Sequence, residues 1–433
     1  MAASVEPSWQ AFLPAPRRPR AEDLKWDLFL SYRSVNRSWV LALYDVLRSQ
    51  GFDVFLDQFV LQVGMSLSDS LRDNLRASAG AVLVWSRAAA DSEWVQAELK
   101  QMQRLREKNP RFQYVIAVLD DAEVPFLEQD DKVVHFAEQP EGPRGRELLE
   151  LLYGAIGKPL PPDAVRWLTT LEERTRDLLV TIQSDAERAT EDAVQSLVAL
   201  AESSEPALHA TPLPLCLAAE RLIGIDRPAE ALTLLQTACA RFPKALRPQQ
   251  LCGLALRRLE RVDEAQQVLG RLYERGHRDP ETLGIWAATW AQRYAREKRR
   301  IHLERSQLLY QEAFALTPSD SYVGINAASK SALLGNVDEA RRTAAQVLEL
   351  VKTVRTAADG SDYWLTATHA EARLLLDEDK TAIRLYRTAV VKHSARAGDI
   401  ASTRDQALAL AGALALPEET RQALREAFST DQP

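Results

Sequence analysis

The sequence predicts a parallel α/β domain followed by an all-helical solenoid, and three observations support this fold class. First, short apolar runs alternate with amphipathic stretches over residues 26–156, as strands and helices do in a parallel sheet. Second, strand signals disappear after a proline-rich segment, residues 157–163. Third, a short motif recurs beyond that segment at an offset of 34 residues, which is typical of helical repeat proteins.

Length and composition agree with a soluble protein of two or three domains. The chain has 433 residues, of which 46% are hydrophobic and 27% are charged. Its formal net charge of -7 argues against nucleic acid or an anionic membrane as the main partner. The longest apolar runs, residues 79–85 and 407–416, are too short to span a bilayer, and residues 1–20 lack the apolar core of a signal peptide. We therefore expect a cytoplasmic protein.

The three cysteines are Cys216, Cys239 and Cys252, and they have neither CxxC spacing nor a pair of histidines nearby. This pattern favours reduced thiols within a core over disulfides or a zinc site. The six histidines are scattered and form no metal motif. The sequence therefore predicts no bound metal.

The elements of the first domain follow a flexible arm, residues 1–25, which is rich in proline and arginine. Strands are predicted where the apolar runs are short, and helices where apolar residues recur every three or four positions. Gly51 is expected to end the first helix, because glycine readily adopts the left-handed conformation that follows many helices. The predicted strands are 26–32, 52–56, 81–85, 112–119 and 132–136. The predicted helices are 37–49, 68–78, one that begins near Ser92, and 144–156.

Polar residues follow the strands at one edge of the predicted sheet. In parallel sheets, ligands bind outside the carboxyl ends of the strands. Trp94 and Glu98 stand near the start of the helix that follows the third strand, and their spacing of four places them on one helix face. By itself this spacing is more typical of a packing residue and a solvated charge. The other residues at this edge are Tyr32, Arg33, Ser34, Asp57 and Ser86.

Several of these segments together resemble a TIR domain. They are residues 27–32, residues 51–57 with the loop to Gly64, and residues 82–86 followed by Trp94-x-x-x-Glu98-Leu99. The resemblance covers residues 26–156 and implies a flavodoxin-like fold. No glycine-rich loop of the dinucleotide-binding or P-loop type is present, so a dehydrogenase or a P-loop NTPase is not supported.

The resemblance implies a reaction as well as a fold. Many TIR domains cleave NAD at its nicotinamide–ribose bond, and the essential glutamate of these enzymes stands four residues after a tryptophan, which matches Glu98 here. NAD is then the substrate, and no cofactor is implied. Trp94 matches the position that stacks on a ring, while Tyr32 and Arg33 match the end of the first strand.

The remaining site positions match the family less closely. Asp57 matches an acidic residue beside the site, Leu67 stands nearest to the position of a family aromatic residue, and Ser34 replaces the second of two basic residues. Ser86 lies at the same edge. The alternatives stay open for two of the residues, since Arg33 is also interpretable as a surface arginine and Asp57 as a loop cap.

The second half of the chain carries the repeated motif. Residues 227–235 align with residues 261–269, and the offset of 34 is the tetratricopeptide period. A third copy begins at Asn336 and a weaker one at Lys380. Connecting helices are predicted over residues 164–204, a tetratricopeptide-like regulatory domain over 205–427, and a tail over 428–433.

A second resemblance concerns residues 322–328 and 363–368. These segments are similar to the tetratricopeptide-type TRAF-binding region of stress-activated kinase kinase kinases. The similarity implies a regulatory or oligomerising module, for which a protein or peptide partner is possible. It identifies no particular partner.

Two functions remain open from the sequence. The first is an NAD+ glycohydrolase or ADP-ribosyl cyclase that acts as a signalling or immune-defence effector, regulated through assembly by its helical domain. The second is a non-enzymatic TIR adaptor that acts by self-association and peptide binding. Because a short linker raises the effective concentration of neighbouring TIR domains once the solenoids oligomerise, we expect self-association in both cases.

Overall fold

The computed structural model describes residues 12–16, 21, 23–56, 67–90, 93–188, 190–318, 320–357, 363–393 and 397–429. The chain forms two compact units, residues 1–276 and residues 277–433. Asp57 lies outside the described residues. The side chains of Ser34, Leu67 and Trp94 are likewise outside the description, although their backbones belong to described helices.

The described part of the first unit contains a five-stranded sheet in which every pairing is parallel, in the order β2-β1-β3-β4-β5. This confirms the flavodoxin-like α/β fold. The strands are nearly continuous apolar runs because helices cover both faces of the sheet. They are β1 Trp26–Ser31, β2 Val54–Leu56, β3 Ser78–Trp85, β4 Gln113–Val118 and β5 Lys132–His135.

Five α-helices belong to the described part of this domain. They are α1 Arg37–Ser49, α2 Leu67–Arg76, α3 Arg87–Ala90, α4 Glu93–Lys108 and α5 Gly145–Ala155, with a 3-10 turn at Ser34–Asn36 before α1. Helices α1 to α4 lie between strands, and α5 follows β5. The bounds of α1 agree with the predicted helix. Gly51 follows its C-terminus with φ of +84°, the left-handed conformation that was expected there.

Strand β3 begins at Ser78, three residues before the predicted strand, and α2 correspondingly ends at Arg76. The prediction was wrong here because serine, alanine and glycine have low strand propensity. The chain nevertheless needs Gly80 in the sheet. A Cβ atom at this position would lie 2.7 Å from the carbonyl oxygen of Ala155 and 2.8 Å from that of Gln113.

Strand β2 is shorter than predicted, because it begins at Val54 instead of Phe52. The backbone N–H of Phe52 donates to the carbonyl oxygen of Leu47 at 3.1 Å and so closes the end of α1. Phe52 is therefore part of the helix cap. Further along, the ring of Phe55 stacks on that of Phe29 at 5.1 Å within the core between the sheet and its helices.

The rest of the first unit is helical. Helix α6 begins at Pro162, so it includes the end of the segment predicted as an extended linker, and proline is favoured in the first turn of a helix. The connecting helices predicted over residues 164–204 are α6 and α7. The helices are α6 Pro162–Arg188, α7 Glu191–Ala199, α8 Ala207–Ala210, α9 Leu213–Gly224, α10 Pro228–Arg241, α11 Arg247–Arg258 and α12 Val262–Glu274.

The second unit is also helical throughout its described residues, as predicted. Its helices are α13 Pro280–Glu297, α14 Arg300–Leu316, α15 Ser321–Leu333, α16 Val337–Ala357, α17 Tyr363–Leu375, α18 Asp379–Lys392, α19 Ala397–Ala413 and α20 Glu418–Ala427. Within the residues that the structure describes, no helix is long and apolar enough to cross a membrane.

The repeated motif has the same structural role in each copy. Its alanine is fully buried at the start of a helix, where a small side chain lets the neighbouring helix approach closely. In the first two copies an arginine just before the helix pairs with a glutamate three residues later, at 3.1 and 2.7 Å. The alanines are Ala231 in α10, Ala265 in α12, Ala340 in α16 and Ala382 in α18.

Candidate functional site

The candidate site lies where the strand order of the sheet reverses. Strand β1 has β2 on one side and β3 on the other, so successive connections leave β1 and β3 towards opposite faces and open a crevice between them. Ser31 is the last residue of β1, and Ser86 follows β3 directly. We call this edge, at Ser31 and Ser86, the rim.

Glu98 reaches the rim from helix α4. The hydroxyl of Ser31 donates a hydrogen bond to Oε2 of Glu98, across 67 residues of sequence. Ser31 is buried, whereas Glu98 is half-buried. The structure therefore holds a partly solvated carboxylate against the end of β1, at the point where a flavodoxin-like sheet binds ligands.

Helix α4 gives this carboxylate a rigid support. Its inner face places Val95, Leu99 and Met102 in the core, each with no exposed surface. The side chain of Gln96 donates to the carbonyl oxygen of Ala90 at 2.7 Å and so joins α4 to α3. Because side chains on a helix tilt towards its N-terminus, Glu98 points towards the start of α4.

Ser86 has a structural role at the rim. Its hydroxyl donates to Oδ1 of Asn36 at 2.9 Å and accepts from the backbone N–H of Ala89 at 3.3 Å. Ser86 thus caps α3 and joins it to the 3-10 turn that follows β1. The sequence placed Ser86 at this edge but gave no role to Asn36 or Ser31. A short polar residue directly before α1 was the available signal for Asn36.

Of the other predicted site residues, Tyr32 and Arg33 have side chains that the structure describes. Tyr32 is buried and Arg33 is exposed, both directly after β1. The carbonyl oxygen of Arg33 accepts from the backbone N–H of Asn36 at 2.8 Å, which fixes the turn. Trp94 precedes Glu98 by one turn of α4. Its stacking role stays a prediction, as do the roles of Ser34, Asp57 and Leu67.

Arg87, a second cation near the rim, already forms an ion pair with a carboxylate. The guanidinium of Arg87 contacts Asp121 at 2.6 Å, and this contact lowers the pKa of the Asp121 carboxyl below its usual value. Both side chains are exposed. Arg33 is therefore the better candidate to bind an anionic group of a ligand at the rim. Within the described ranges, no cluster of three or more histidine, cysteine, aspartate or glutamate side chains is arranged to hold a metal ion.

Comparison with known families identifies both parts of the chain. Residues 28–149 match the family model of the TIR domain, and residues 227–334 match that of the Tetratricopeptide Repeats-Sensor family. No curated protein matches the chain. The chain is therefore a TIR domain fused to tetratricopeptide repeats of the sensor type.

Solved structures similar to this chain are tetratricopeptide repeat proteins. One is a thermophilic protein of Thermus thermophilus, which is 19% identical over 48% of this chain and 100% of its own, with a TM-score of 0.36. YrrB, described as having an unusual peptide-binding site, is 15% identical over 46% of this chain and 94% of its own, with a TM-score of 0.29. MamA of Desulfovibrio magneticus RS-1 is 17% identical over 42% of this chain and 96% of its own, with a TM-score of 0.30.

Proposed function

We propose that the TIR domain is an NAD+ nucleosidase in which Glu98 is the catalytic carboxylate. The reaction releases nicotinamide and gives ADP-ribose or a cyclic ADP-ribose. The observation that carries the proposal is the hydrogen bond from Ser31 to Glu98, which fixes a half-buried carboxylate at the rim of the sheet. The resemblance of residues 26–156 to NAD-cleaving TIR domains supports the same assignment.

The chemistry suits a single carboxylate. When the bond between C1′ of the ribose and the nicotinamide nitrogen breaks, its electron pair stays on nicotinamide, which leaves as a neutral base. No general acid is needed for this step. Positive charge develops on the ribose, as it does in glycoside cleavage, and a fixed anion beside it stabilises the transition state. Attack on C1′ by water gives ADP-ribose, and attack by an adenine nitrogen gives the cyclic product.

Ser31 acts as a positioning residue in this proposal. Its hydrogen bond to one carboxylate oxygen restricts the orientation of Glu98. The carboxylate therefore needs little reorientation as the transition state forms. Arg33, exposed directly after β1, is assigned to the diphosphate, and Trp94 to stacking on a ring. Tyr32, Ser34, Asp57, Leu67 and Ser86 are proposed to line the rest of the nucleotide site.

The helical region supplies a means of regulation. Asp45 of α1 is almost fully buried, and its two carboxylate oxygens accept from the backbone N–H groups of Leu246 and Arg247 at 2.6 and 2.9 Å. These amides lie at the N-terminus of α11, where the helix dipole favours an anion. We call this contact the Asp45 dock. It joins the TIR domain to the repeats within the first unit.

Packing around the Asp45 dock strengthens the connection. A Cβ atom on Gly142 would lie 2.7 Å from Cβ of Ala42 in α1 and 3.2 Å from the side chain of Leu213 in α9. The guanidinium of Arg247 pairs with Glu220 of α9 at 2.8 Å. We propose that the docked TIR domain has low activity and that assembly through the repeats, with release of the dock, produces the active form.

The test is NAD+ consumption by the purified full-length protein, with the products separated by chromatography. The unmodified protein and a Glu107→Gln variant should both release nicotinamide, while a Glu98→Gln variant should not. Glu107 is an exposed carboxylate on the same helix, so its substitution makes the same chemical change away from the rim. An Asp45→Ala version of each protein provides the undocked state.

Two outcomes would contradict the proposal, the first in the role of Glu98 and the second in the enzymatic activity itself. Equal nicotinamide release by the Glu98→Gln and Glu107→Gln variants would remove Glu98 from the reaction. Absence of nicotinamide release from every protein, including the undocked ones under conditions in which they assemble, would favour the adaptor function. The adaptor function predicts a cellular phenotype that survives Glu98→Gln.

A further inference from the structure

Two cysteines of the repeat region lie in direct contact. Cys239 belongs to α10 and Cys252 to α11, and these helices pack against each other in one hydrophobic core. The two Sγ atoms are 3.7 Å apart. This distance corresponds to contact between two thiols, and formation of a disulfide requires the sulfurs to approach by roughly another 1.7 Å.

The two thiols have different environments. Cys239 is half-buried, whereas Cys252 is almost fully buried. The hydrogen-bonding contact between the two sulfurs lowers the pKa of Cys239, and the same contact together with burial raises the pKa of Cys252. The more accessible thiol is therefore also the one that ionises more readily, and thiolate character and access determine reactivity towards oxidants.

We propose that Cys239 and Cys252 form a modification site that hydroperoxides such as H2O2 convert into an intramolecular disulfide. The Cys239 thiolate attacks one peroxide oxygen, so that an S–O bond forms, the O–O bond breaks and hydroxide leaves. Cys239 is then a sulfenic acid. The sulfur of Cys252 attacks the sulfur of Cys239, the S–S bond forms, and the S–O oxygen leaves as water with the proton of Cys252. The dithiol loses two electrons, and the peroxide is reduced to water.

Cys216 provides an internal comparison for this site. It belongs to α9 in the same core and is buried, and burial raises the pKa of its thiol well above the usual value. A buried, protonated thiol reacts slowly with peroxide. The proposal therefore assigns oxidation to the pair and leaves Cys216 reduced. Metal binding does not account for the three thiols, because the described side chains include no group of three or more ligands arranged around a metal.

The position of the pair connects it to the TIR domain. Cys252 stands on α11, the helix whose first backbone amides form the Asp45 dock. A disulfide would join α10 covalently to this helix. The proposal itself does not depend on NAD+ cleavage, because the thiols lie outside the rim.

The experiment exposes the reduced full-length protein to H2O2, blocks the remaining thiols with N-ethylmaleimide, and measures intact mass and a non-reducing peptide map. We expect one of the three cysteines to be alkylated, a loss of about 2 Da at the other two, and a crosslinked peptide that joins Cys239 to Cys252. Dithiothreitol should restore three reactive thiols. Oxidation should become faster as the pH rises, because the Cys239 thiolate reacts.

Single variants identify the sulfurs. Cys216→Ser should form the disulfide as the unmodified protein does, whereas Cys239→Ser and Cys252→Ser should not lose the 2 Da. Cys252→Ser should stop at the sulfenic acid of Cys239, which dimedone traps. This second readout distinguishes loss of the partner thiol from misfolding, and circular dichroism confirms the fold of each variant. A crosslink through Cys216, a crosslink between two chains, or oxidation of Cys239 to the sulfinic acid without any crosslink would each overturn the proposal.

Discussion

Replacement of Asp45 by alanine should open the contact between the TIR domain and helix α11. The substitution removes a buried carboxylate that accepts two backbone hydrogen bonds, at 2.6 and 2.9 Å. It leaves the amides of Leu246 and Arg247 without this partner. Hydrogen bonds to a charged group contribute about 1.5–3 kcal/mol each, so loss of both should cost about 3–6 kcal/mol of contact free energy. The helix dipole is included in this range, since it acts on the same carboxylate.

Hydrogen–deuterium exchange measures this loss at the amides concerned. At about 1.4 kcal/mol per tenfold change in an equilibrium constant, 3 kcal/mol corresponds to exchange that is faster by a factor of roughly 100. The acceleration should appear in peptides that contain Leu246 and Arg247. It should appear whether or not the protein cleaves NAD+, so the dock and the reaction are tested separately.

Asp27 provides a matched control for Asp45. It is also buried, and its Oδ2 accepts from the backbone N–H of Asp53 at 2.7 Å within the sheet domain. Asp27→Ala should destabilise the start of β1 and leave exchange at the start of α11 unchanged. Unchanged exchange at Leu246 and Arg247 in Asp45→Ala would refute the dock. Equal acceleration in both variants would show that the effect is general unfolding of the TIR domain.

Two further predictions concern the rim and the second unit. Ser31→Ala should lower kcat for NAD+ cleavage by roughly 10- to 100-fold with little change in KM, because the hydroxyl positions Glu98. Steady-state kinetics measure both constants, and a rise in KM alone would contradict this prediction. Burial raises the pKa of the Glu371 carboxyl above 4.5, so its contribution to stability is fully present below pH 4.5 and is lost as the pH rises through its folded pKa. The unmodified protein should therefore gain stability relative to the Glu371→Gln variant as the pH falls, measured as the difference between their free energies of unfolding. A difference that stays constant with pH would show that Glu371 does not contribute to stability in this way.

The fold could be predicted from the sequence because its elements are locally encoded. Helix α1 has an amphipathic pattern and a glycine at its end, and the strands are apolar runs of the length that a two-sided parallel sheet requires. The start of β3 could not be predicted, since Ser78 and Gly80 have the composition of a turn. Gly80 is required by the carbonyl oxygens of Ala155 and Gln113, and these belong to distant parts of the chain.

The candidate site was predicted less completely, and the reason is again distance along the chain. The order of strands and helices placed the start of the Glu98 helix at this edge, and the resemblance to TIR domains singled out Glu98 as the catalytic candidate. The hydrogen bond from Ser31 depends on the register of β1 against β3, which no local pattern specifies. No sequence pattern indicated the contact of Asp45 either. A carboxylate in an amphipathic helix is usually solvated, and the partner of Asp45, Leu246, is 201 residues away.

Helix α1 is the physical connection between the Asp45 dock and the rim. Asn36 stands directly before the helix and bonds to Ser86, whereas Asp45 lies nine residues further along, about 13 Å at 1.5 Å per residue. The helix is packed on several sides, and Nε1 of Trp39 donates to the carbonyl oxygen of Gln139 at 3.0 Å. A packed helix moves as a unit, so a shift at Asp45 on release of the dock would displace Asn36 and its hydrogen bond to Ser86. Repeats that hold α1 by Asp45 therefore contact a helix that leads to Ser86 at the rim, and the regulation proposed above would act along this helix.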